Sequence, residues 1–221
     1  MVSLAQQFGT TPKLLRRHLP ILLRASYMSL WQASEVLAPR GYTVDHELSS
    51  ADGSSIVLHS SVTGPVVLFR GTTTTSDWVH ENLPLLVGRD GPRHAAARAL
   101  VARVEAKYGR PAHVIGHSLG GRLAERSGAS GLVLTADKAA GLGDMQPQSN
   151  PRQLDVRVAG DPVSALSRGG LRERLPARYT GSHLLAEASA RVNFERLPAP
   201  IKLPLRFIAG GLAAHSLRNI R

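Results

Sequence analysis

The chain has 221 residues, of which 43% are hydrophobic and 19% charged, so it fits one globular domain and is not a disordered segment. It carries 27 Lys and Arg against 16 Asp and Glu, a net charge of +11 that fits an anionic partner, either nucleic acid or an acidic membrane surface. An arginine-rich composition inherited from a GC-rich genome explains the excess equally well. The absence of cysteine excludes disulfides, thiolate zinc sites and a cysteine nucleophile.

The first part of the chain is predicted to be helical. Between Thr11 and Leu37, apolar residues recur at roughly helical spacing, and Pro39 to Gly41 ends the run. The pattern predicts one or two helices that cover a sheet, with a membrane-seeking amphipathic helix as the alternative. We expect residues 1–40 to pack on a single domain that spans 1–221. The sequence contains no run of 18 apolar residues and no secretory signal pattern, so neither a transmembrane span nor a signal peptide is expected. It indicates no particular compartment.

Predicted strands and helices alternate in the rest of the chain. A dense β-branched run at 65–69 is typical of a strand buried on both faces. An Asp52-Gly53 pair predicts a hairpin turn between the two candidate strands that precede this run, 42–44 and 55–59. The predicted strands are Tyr42–Val44, Ser55–His59, Pro65–Phe69, Ala112–Gly116, Leu132–Leu134 and Val156–Val158. The predicted helices are Pro92–Tyr108, which Gly109 would cap, and Leu119–Arg126. Strands separated by helices predict an α/β fold with a mostly parallel central sheet flanked by helices.

The most informative motif is G-x-S-x-G at Gly116 to Gly120, placed between a buried-strand pattern and a helix pattern. Glycines are needed there because the strand turns sharply into the helix while Ser118 takes a strained backbone. Such a turn exposes the serine hydroxyl above the sheet edge. The amide of Leu119, at the start of the helix, is then available to stabilise an oxyanion. The motif predicts a serine nucleophile.

A serine nucleophile needs a histidine base and an orienting carboxylate, which follow it along the chain in this type of fold. Asp161 is the preferred carboxylate because it comes after a predicted strand and a glycine, and Asp137, after the previous strand, is its main rival. Asp155 is set aside because we expect it to open a strand at the opposite edge. Of the two downstream histidines, His215 after an apolar stretch is preferred to His183.

Four segments together resemble the class 3 (fungal-type) lipases of the α/β-hydrolases, in particular small lipase-like members, some of them predicted in viruses. These are Val67–Thr72 followed by Ser76–Trp78, then Val114–Gly121, Gly160–Ser164 and the ending His215–Ile220. The similarity runs from about Tyr42 to the end of the chain. The pairing of Arg-Gly-Thr with Gly-His-Ser-Leu-Gly-Gly is its most specific part.

The resemblance implies a role for each matching residue. Ser118 would be the nucleophile, His215 the general base and then acid, and Asp161 the orienting carboxylate. Thr72 would match the family's oxyanion residue and Leu119 would supply the second N–H. This chemistry requires no cofactor and no metal.

The function expected from these observations is hydrolysis of carboxylic acyl esters, of lipids or phospholipids, with peripheral contact to an anionic membrane. The alternative is a basic nucleic-acid- or virion-associated binding protein that keeps a hydrolase fold, and an acyltransferase or peptidase would use the same triad. No zinc spacing or recognisable nucleic-acid module supports the binding alternative. The apolar segment Leu83–Val87 fits either a reduced lid or the core.

Overall fold

A computed structural model describes residues 4–71, 91–139, 150–159, 171–176, 217 and 220. The helices are α1 Leu4–Phe8, α2 Thr11–Ala25, α3 Leu30–Leu37, α4 Pro92–Tyr108 and α5 Leu119–Glu125, with a 3-10 turn at Ala38–Arg40. The strands are β1 Thr43–Val44, β2 Ser55–Ser60, β3 Gly64–Phe69, β4 His113–His117, β5 Val133–Ala136, β6 Gln153–Val158 and β7 Leu171–Leu175. The predicted α/β class is confirmed.

The seven strands form one sheet whose spatial order follows the chain, β1 to β7. The pairs β1–β2 and β2–β3 are antiparallel, and every pair from β3 to β7 is parallel. In the parallel part, Phe69 lies opposite Gly116, and Ala136 lies between His117 and Val156. The carboxyl ends of β3, β4 and β5 therefore meet at one edge, which we call the elbow edge.

Alternate residues along the strands face two separate cores. Helices α4 and α5 cover one face, where they pack on Val57, Val67, Phe69, Val114 and Val133. Helix α4 connects β3 to β4 and α5 connects β4 to β5, so both connections move the same way across the sheet. Right-handed crossovers therefore place both helices on the same face. The other face, which includes Ile56, Leu58, Val66, Leu68 and Ile115, is covered by α2 and α3.

The N-terminal helices follow the predicted pattern closely. The buried residues of α2 are Leu15, Leu19, Leu22, Leu23 and Ala25, the inward face of the apolar periodicity. Helix α2 ends at Ala25, and Ser29 caps the start of the next helix, α3. The residues Ser29 and Gln32 form a capping box: the Ser29 hydroxyl accepts from the N–H of Gln32, and the Gln32 side chain accepts from the N–H of Ser29. Gly109 ends α4 in the left-handed conformation at φ 59°, as expected for a glycine cap.

Three local predictions differ from the structure. The hairpin predicted at Asp52-Gly53 is present as the antiparallel pair β1–β2, but a loop of ten residues joins the strands in place of a two-residue turn, because β1 stops at Val44. Gly53, at φ 68°, instead turns the chain inside that loop. Asp155 does not open its strand but is the third residue of β6, and β7 was not predicted at all. Within the described ranges, none of the helices is long and apolar enough to cross a membrane.

Candidate active site

Ser118 lies at the elbow edge, in the turn between the end of β4 and the start of α5, with backbone angles of φ 56° and ψ −126°. We call this turn, Gly116 to Gly120, the elbow. This conformation is strained for a residue with a side chain and persists only where the surroundings enforce it. Here, backbone hydrogen bonds to both peptide groups of Ser118 hold the conformation. Its N–H donates to the carbonyl of Ala136 at 3.1 Å, and its carbonyl accepts from Ala139 at 3.0 Å and Arg122 at 3.3 Å. The strain is therefore held on both sides of the serine.

The glycines of the motif are required by close backbone approach. A Cβ on Gly116 would overlap the carbonyl of Gly120 and lie 2.6 Å from the nitrogen of Gly121. A Cβ on Gly120 would overlap the carbonyl of Phe69, at the end of β3, and lie 2.9 Å from the carbonyl carbon of Arg70. Because these neighbours are backbone atoms, they cannot rotate away. The G-x-S-x-G spacing thus sets how closely α5 approaches β3 and β4.

Leu119, which was expected to supply an oxyanion donor, is the first residue of α5 and is buried. The N–H of a first helical residue has no acceptor within its own helix. It is therefore the kind of donor that can stabilise a negative oxygen beside the serine.

His117 directly precedes the serine and is buried, with 6% of its surface exposed. Its Nδ1 lies 3.1 Å from the hydroxyl of Tyr27, and the two rings meet edge to face at 6.2 Å. Tyr27 also makes a hydrogen bond with the backbone of Gly71, just after β3. Burial raises the pKa of Tyr27 to about 12, so the hydroxyl remains protonated at neutral pH.

Asp137, the rival carboxylate, directly follows β5 at the elbow edge and is fully buried. Its Oδ1 accepts a hydrogen bond from the N–H of Val158 at 2.8 Å. Its backbone is also left-handed, at φ 40°. Among the described residues other than glycine, only Asp137 and Ser118 have positive φ. Strained backbone is thus concentrated at the elbow edge, as is common around functional sites.

Asp155 takes part in a buried polar cluster behind α5. Its carboxylate accepts from Thr135 Oγ1 at 2.6 Å and Gln153 Nε2 at 2.7 Å, and Lys138 Nζ lies 3.4 Å away. Lys138 also pairs with Glu125 on α5. The cluster ties α5 to β5 and β6, which gives Asp155 a structural explanation.

Several predicted residues fall outside the described part of the chain. They are Thr72, Asp161, His183, His215 and the segment Leu83–Val87. The described residues bring together Ser118, Leu119 and the rival Asp137, while the positions of the base and the preferred carboxylate stay predictions. Within the same ranges, no group of three or more potential metal-ligating side chains was found.

A cavity of about 290 Å³ opens between the loop before β2 and helix α4. Phe69, Leu100 and Leu123 form apolar parts of its lining, and Ser54 and Arg103 are among its polar parts. Ser118 does not line it, so the cavity is separate from the elbow.

A strained serine between the end of a parallel strand and the start of a helix, in an α/β fold, has the backbone geometry of a nucleophile elbow. Comparison with protein families gives a more specific result. The family model described as Tle-like phospholipase domain, phospholipase-like, matches residues 50–177, more than half of the chain. The chain therefore belongs to this phospholipase-like family. A search of curated proteins finds no match.

The match supports the lipase- or phospholipase-like part of the expected resemblance and, in general terms, a lipid ester hydrolase. It spans β2 to β7 and includes Ser118, Leu119 and both candidate aspartates. It leaves out the three N-terminal helices and both candidate histidines.

Tyr27 is the residue that the sequence did not reveal. It lies in the short break between α2 and α3, where neither the helical periodicity nor a motif marks it. Ninety positions separate it from His117, so only the tertiary structure brings the two together.

Proposed function

We propose that the protein is a serine hydrolase that cleaves carboxylic acyl esters of lipids or phospholipids, and that its detailed site follows the class 3 lipase pattern. The observation that carries the proposal is the strained backbone of Ser118, at the elbow edge of a phospholipase-like fold. A binding protein would gain nothing from this strain, which costs about 1–3 kcal/mol.

In the proposed reaction, the Ser118 hydroxyl attacks the ester carbonyl carbon and its proton passes to His215, which Asp161 orients. The oxyanion that forms receives hydrogen bonds from the N–H groups of Leu119 and Thr72. Collapse of this intermediate releases the alcohol, which takes the proton from the histidine, and leaves an acyl-enzyme. Water then attacks the acyl-enzyme by the same route, freeing the fatty acid and the serine.

Labelling with a fluorophosphonate tests the nucleophile. The wild type should be labelled and should hydrolyse p-nitrophenyl esters, while Ser118→Ala should lose labelling and turnover by a factor on the order of 10⁶. Ser127→Ala is the matched control, because Ser127 is also buried and donates to the carbonyl of Ala124 at 2.8 Å, away from the elbow. Labelling that survives Ser118→Ala would contradict the mechanism.

Two pairs of substitutions test the rest of the triad. His215→Ala should abolish turnover and His183→Ala should not; the reverse result moves the base to His183. Asp161→Asn should reduce kcat by about 10⁴, as expected when the histidine loses its orienting carboxylate. Asp137 is the less suitable candidate because its Oδ1 already accepts from the backbone of Val158. A larger effect of Asp137→Asn would assign it the role.

We also propose that the enzyme contacts anionic lipid surfaces through α2 and α3. Helix α2 contains no acidic residue, and its exposed Lys13, Arg17 and Arg24, at spacings of four and seven, lie on one helical face. Trp31, at the start of α3, is 67% exposed. Each Lys or Arg near an anionic surface adds about 1 kcal/mol of attraction, and tryptophan favours the lipid–water interface.

The course of α2 supports a position of this surface near Ser118. Phe8, before α2, contacts His113 at the start of β4, while Tyr27, after α2, contacts His117 at its end. The helix therefore runs toward the elbow edge, and Trp31 follows at that end.

Vesicle sedimentation tests this contact. Vesicles that contain phosphatidylglycerol should bind the protein at low salt, and vesicles of phosphatidylcholine alone should bind it far less. Trp31→Ala should weaken binding. Val62→Ala should not, because Val62 is 60% exposed but lies before β3, at the opposite edge of the sheet. Equal binding to both vesicles would contradict the contact. Salt-sensitive binding to DNA or RNA by a protein without esterase activity would favour the nucleic-acid alternative.

A further inference from the structure

Tyr27 joins two segments that flank the proposed active site. Its hydroxyl lies 3.1 Å from Nδ1 of His117, and a backbone hydrogen bond from Gly71 acts to lower the pKa of Tyr27 against the larger effect of burial. A backbone group has this effect when its N–H donates to the phenol oxygen. Gly71 N–H is therefore the donor in this hydrogen bond, and the same hydroxyl forms a second hydrogen bond with Nδ1 of His117. A chain of hydrogen bonds runs from Gly71 through Tyr27 to His117.

Both ends of this chain adjoin predicted catalytic residues. His117 directly precedes Ser118, and Gly71 directly precedes Thr72, the predicted oxyanion residue. A Cβ on Gly71 would overlap the Tyr27 hydroxyl and would lie 2.8 Å from the carbonyl oxygen of His117 and 3.3 Å from Cβ of Ser118. The elbow, the end of β3 and the tyrosine thus meet at one point, with no space for another side chain.

We propose that Tyr27 is a positioning residue that fixes the distance between the nucleophile elbow and Gly71, the residue that directly precedes the predicted oxyanion residue. The inference rests on the proposed esterase function. It assigns a role in the site to the N-terminal helices, which lie outside residues 50–177 of the family match. The effect expected is on the rate of acyl transfer rather than on substrate affinity, because the hydroxyl holds protein atoms and not substrate.

The chain contains a second tyrosine–histidine pair that serves as a control. The hydroxyl of Tyr42 lies 3.1 Å from Nδ1 of His18, and the rings meet edge to face at 5.7 Å. Burial raises the pKa of Tyr42 to about 12, as it does for Tyr27. This pair lies between α2 and the segment before β1, and it contacts no residue of the elbow motif. The two pairs have the same chemistry in different places.

The experiment compares Tyr27→Phe with Tyr42→Phe. Each substitution removes one hydroxyl and keeps the ring, and turnover is measured per active site titrated with a fluorophosphonate. Tyr27→Phe should lower kcat by about 10-fold and slow labelling to a similar degree, since a displacement of 1 Å can reduce turnover by about 10². Its KM should change little. Tyr42→Phe should lose comparable thermal stability and keep the kcat of the wild type.

Equal kcat values for the two variants would overturn the positioning role, because Tyr27 would then contribute only to packing. A wild type that is neither labelled nor active would instead overturn the proposed esterase, and the positioning role with it. Nitrogen-15 NMR of the wild type gives a check that needs no variant. It should find the His117 imidazole held in one hydrogen-bonded tautomer through Nδ1, and a freely exchanging imidazole would overturn the bridge.

Discussion

Strand β4 has a buried histidine at each end, and the two differ in their partners. At the start, His113 is bonded on both ring nitrogens by backbone groups: Leu132 N–H donates to Nδ1 at 2.9 Å, and Nε2 lies 3.1 Å from the carbonyl of Thr63. At the other end, His117 bonds to a tyrosine side chain and is followed by the strained Ser118. Each ring also meets an aromatic ring of the N-terminal segment edge to face.

The comparison separates stability from proposed function. Since Nδ1 of His113 accepts from an N–H, its Nε2 carries the proton and donates to Thr63, and the ring completes the backbone hydrogen bonding around it. The end of β4 at His117 is not optimised for stability in the same way, because the next residue, Ser118, has a strained backbone. Open α/β sheets bind ligands beyond the carboxyl ends of their strands, so the division agrees with general experience of this fold class.

The largest effect on stability is expected from Lys138→Met. This substitution tests whether a buried ion pair near the elbow edge serves stability alone or also the reaction. Lys138 is 3% exposed, and its removal leaves Glu125 and Asp155 buried without this cation. The loss should be about 3–5 kcal/mol in urea unfolding, with turnover per folded enzyme retained. Lys107→Met, at a more exposed pair with Asp45, should have a much smaller effect. A selective loss of turnover would place Lys138 in the site.

Two buried glycines, one packed beside each end of β4, allow a matched comparison of the two ends. Gly120→Ala would push a Cβ into the backbone of Phe69, and Gly131→Ala would push one into the backbone of Ala112, 2.8 Å from Nδ1 of His113. Each should reduce the free energy of unfolding by about 3 kcal/mol through overpacking. Only Gly120→Ala should also reduce turnover per folded enzyme. If Gly131→Ala reduces it equally, the two ends of the strand do not differ as described.

The pH dependence of stability should report the burial of His113, at the start of β4. Burial lowers the pKa of His113 to about 4, from an ordinary value of 6.5. Between these values the unfolded chain binds a proton that the folded protein excludes, so this stability is complete above pH 6.5 and is lost as the pH falls to 4. The shift corresponds to about 3 kcal/mol. Urea unfolding at several pH values should give a shallower slope for His113→Gln, and an unchanged slope would contradict the assignment.

The smallest expected change in stability is an increase rather than a loss. Ser118→Gly should abolish turnover but raise the free energy of unfolding by about 1 kcal/mol, because glycine adopts a positive φ without strain. Ser127→Gly, at a serine whose φ is not positive, should lower stability, since it removes the hydrogen bond to Ala124. Calorimetry of both variants checks the difference. A Ser118→Gly protein less stable than the wild type would mean that the elbow is not strained.

Local patterns were enough to predict the parallel sheet, its main helices and the elbow. Buried strands have dense β-branched runs, and Gly109 and the glycines around Ser118 mark positions where the backbone itself requires glycine. The loop around Gly53 was harder to predict because a turn pair fits a long loop as well as a two-residue turn. Strand β7 was missed because its Arg and Glu residues interrupt any apolar run.

The sequence by itself determined the fold class and the position of the elbow serine, because both depend on residues close together in the chain. Only the tertiary structure decided how the two buried histidines of β4 are bonded, that Asp155 lies in an ion cluster, and that Tyr27 meets the elbow. These contacts join residues that are distant in sequence, and nothing in a local pattern specifies which polar groups will be buried side by side. The partners of a polar group become definite when two elements pack.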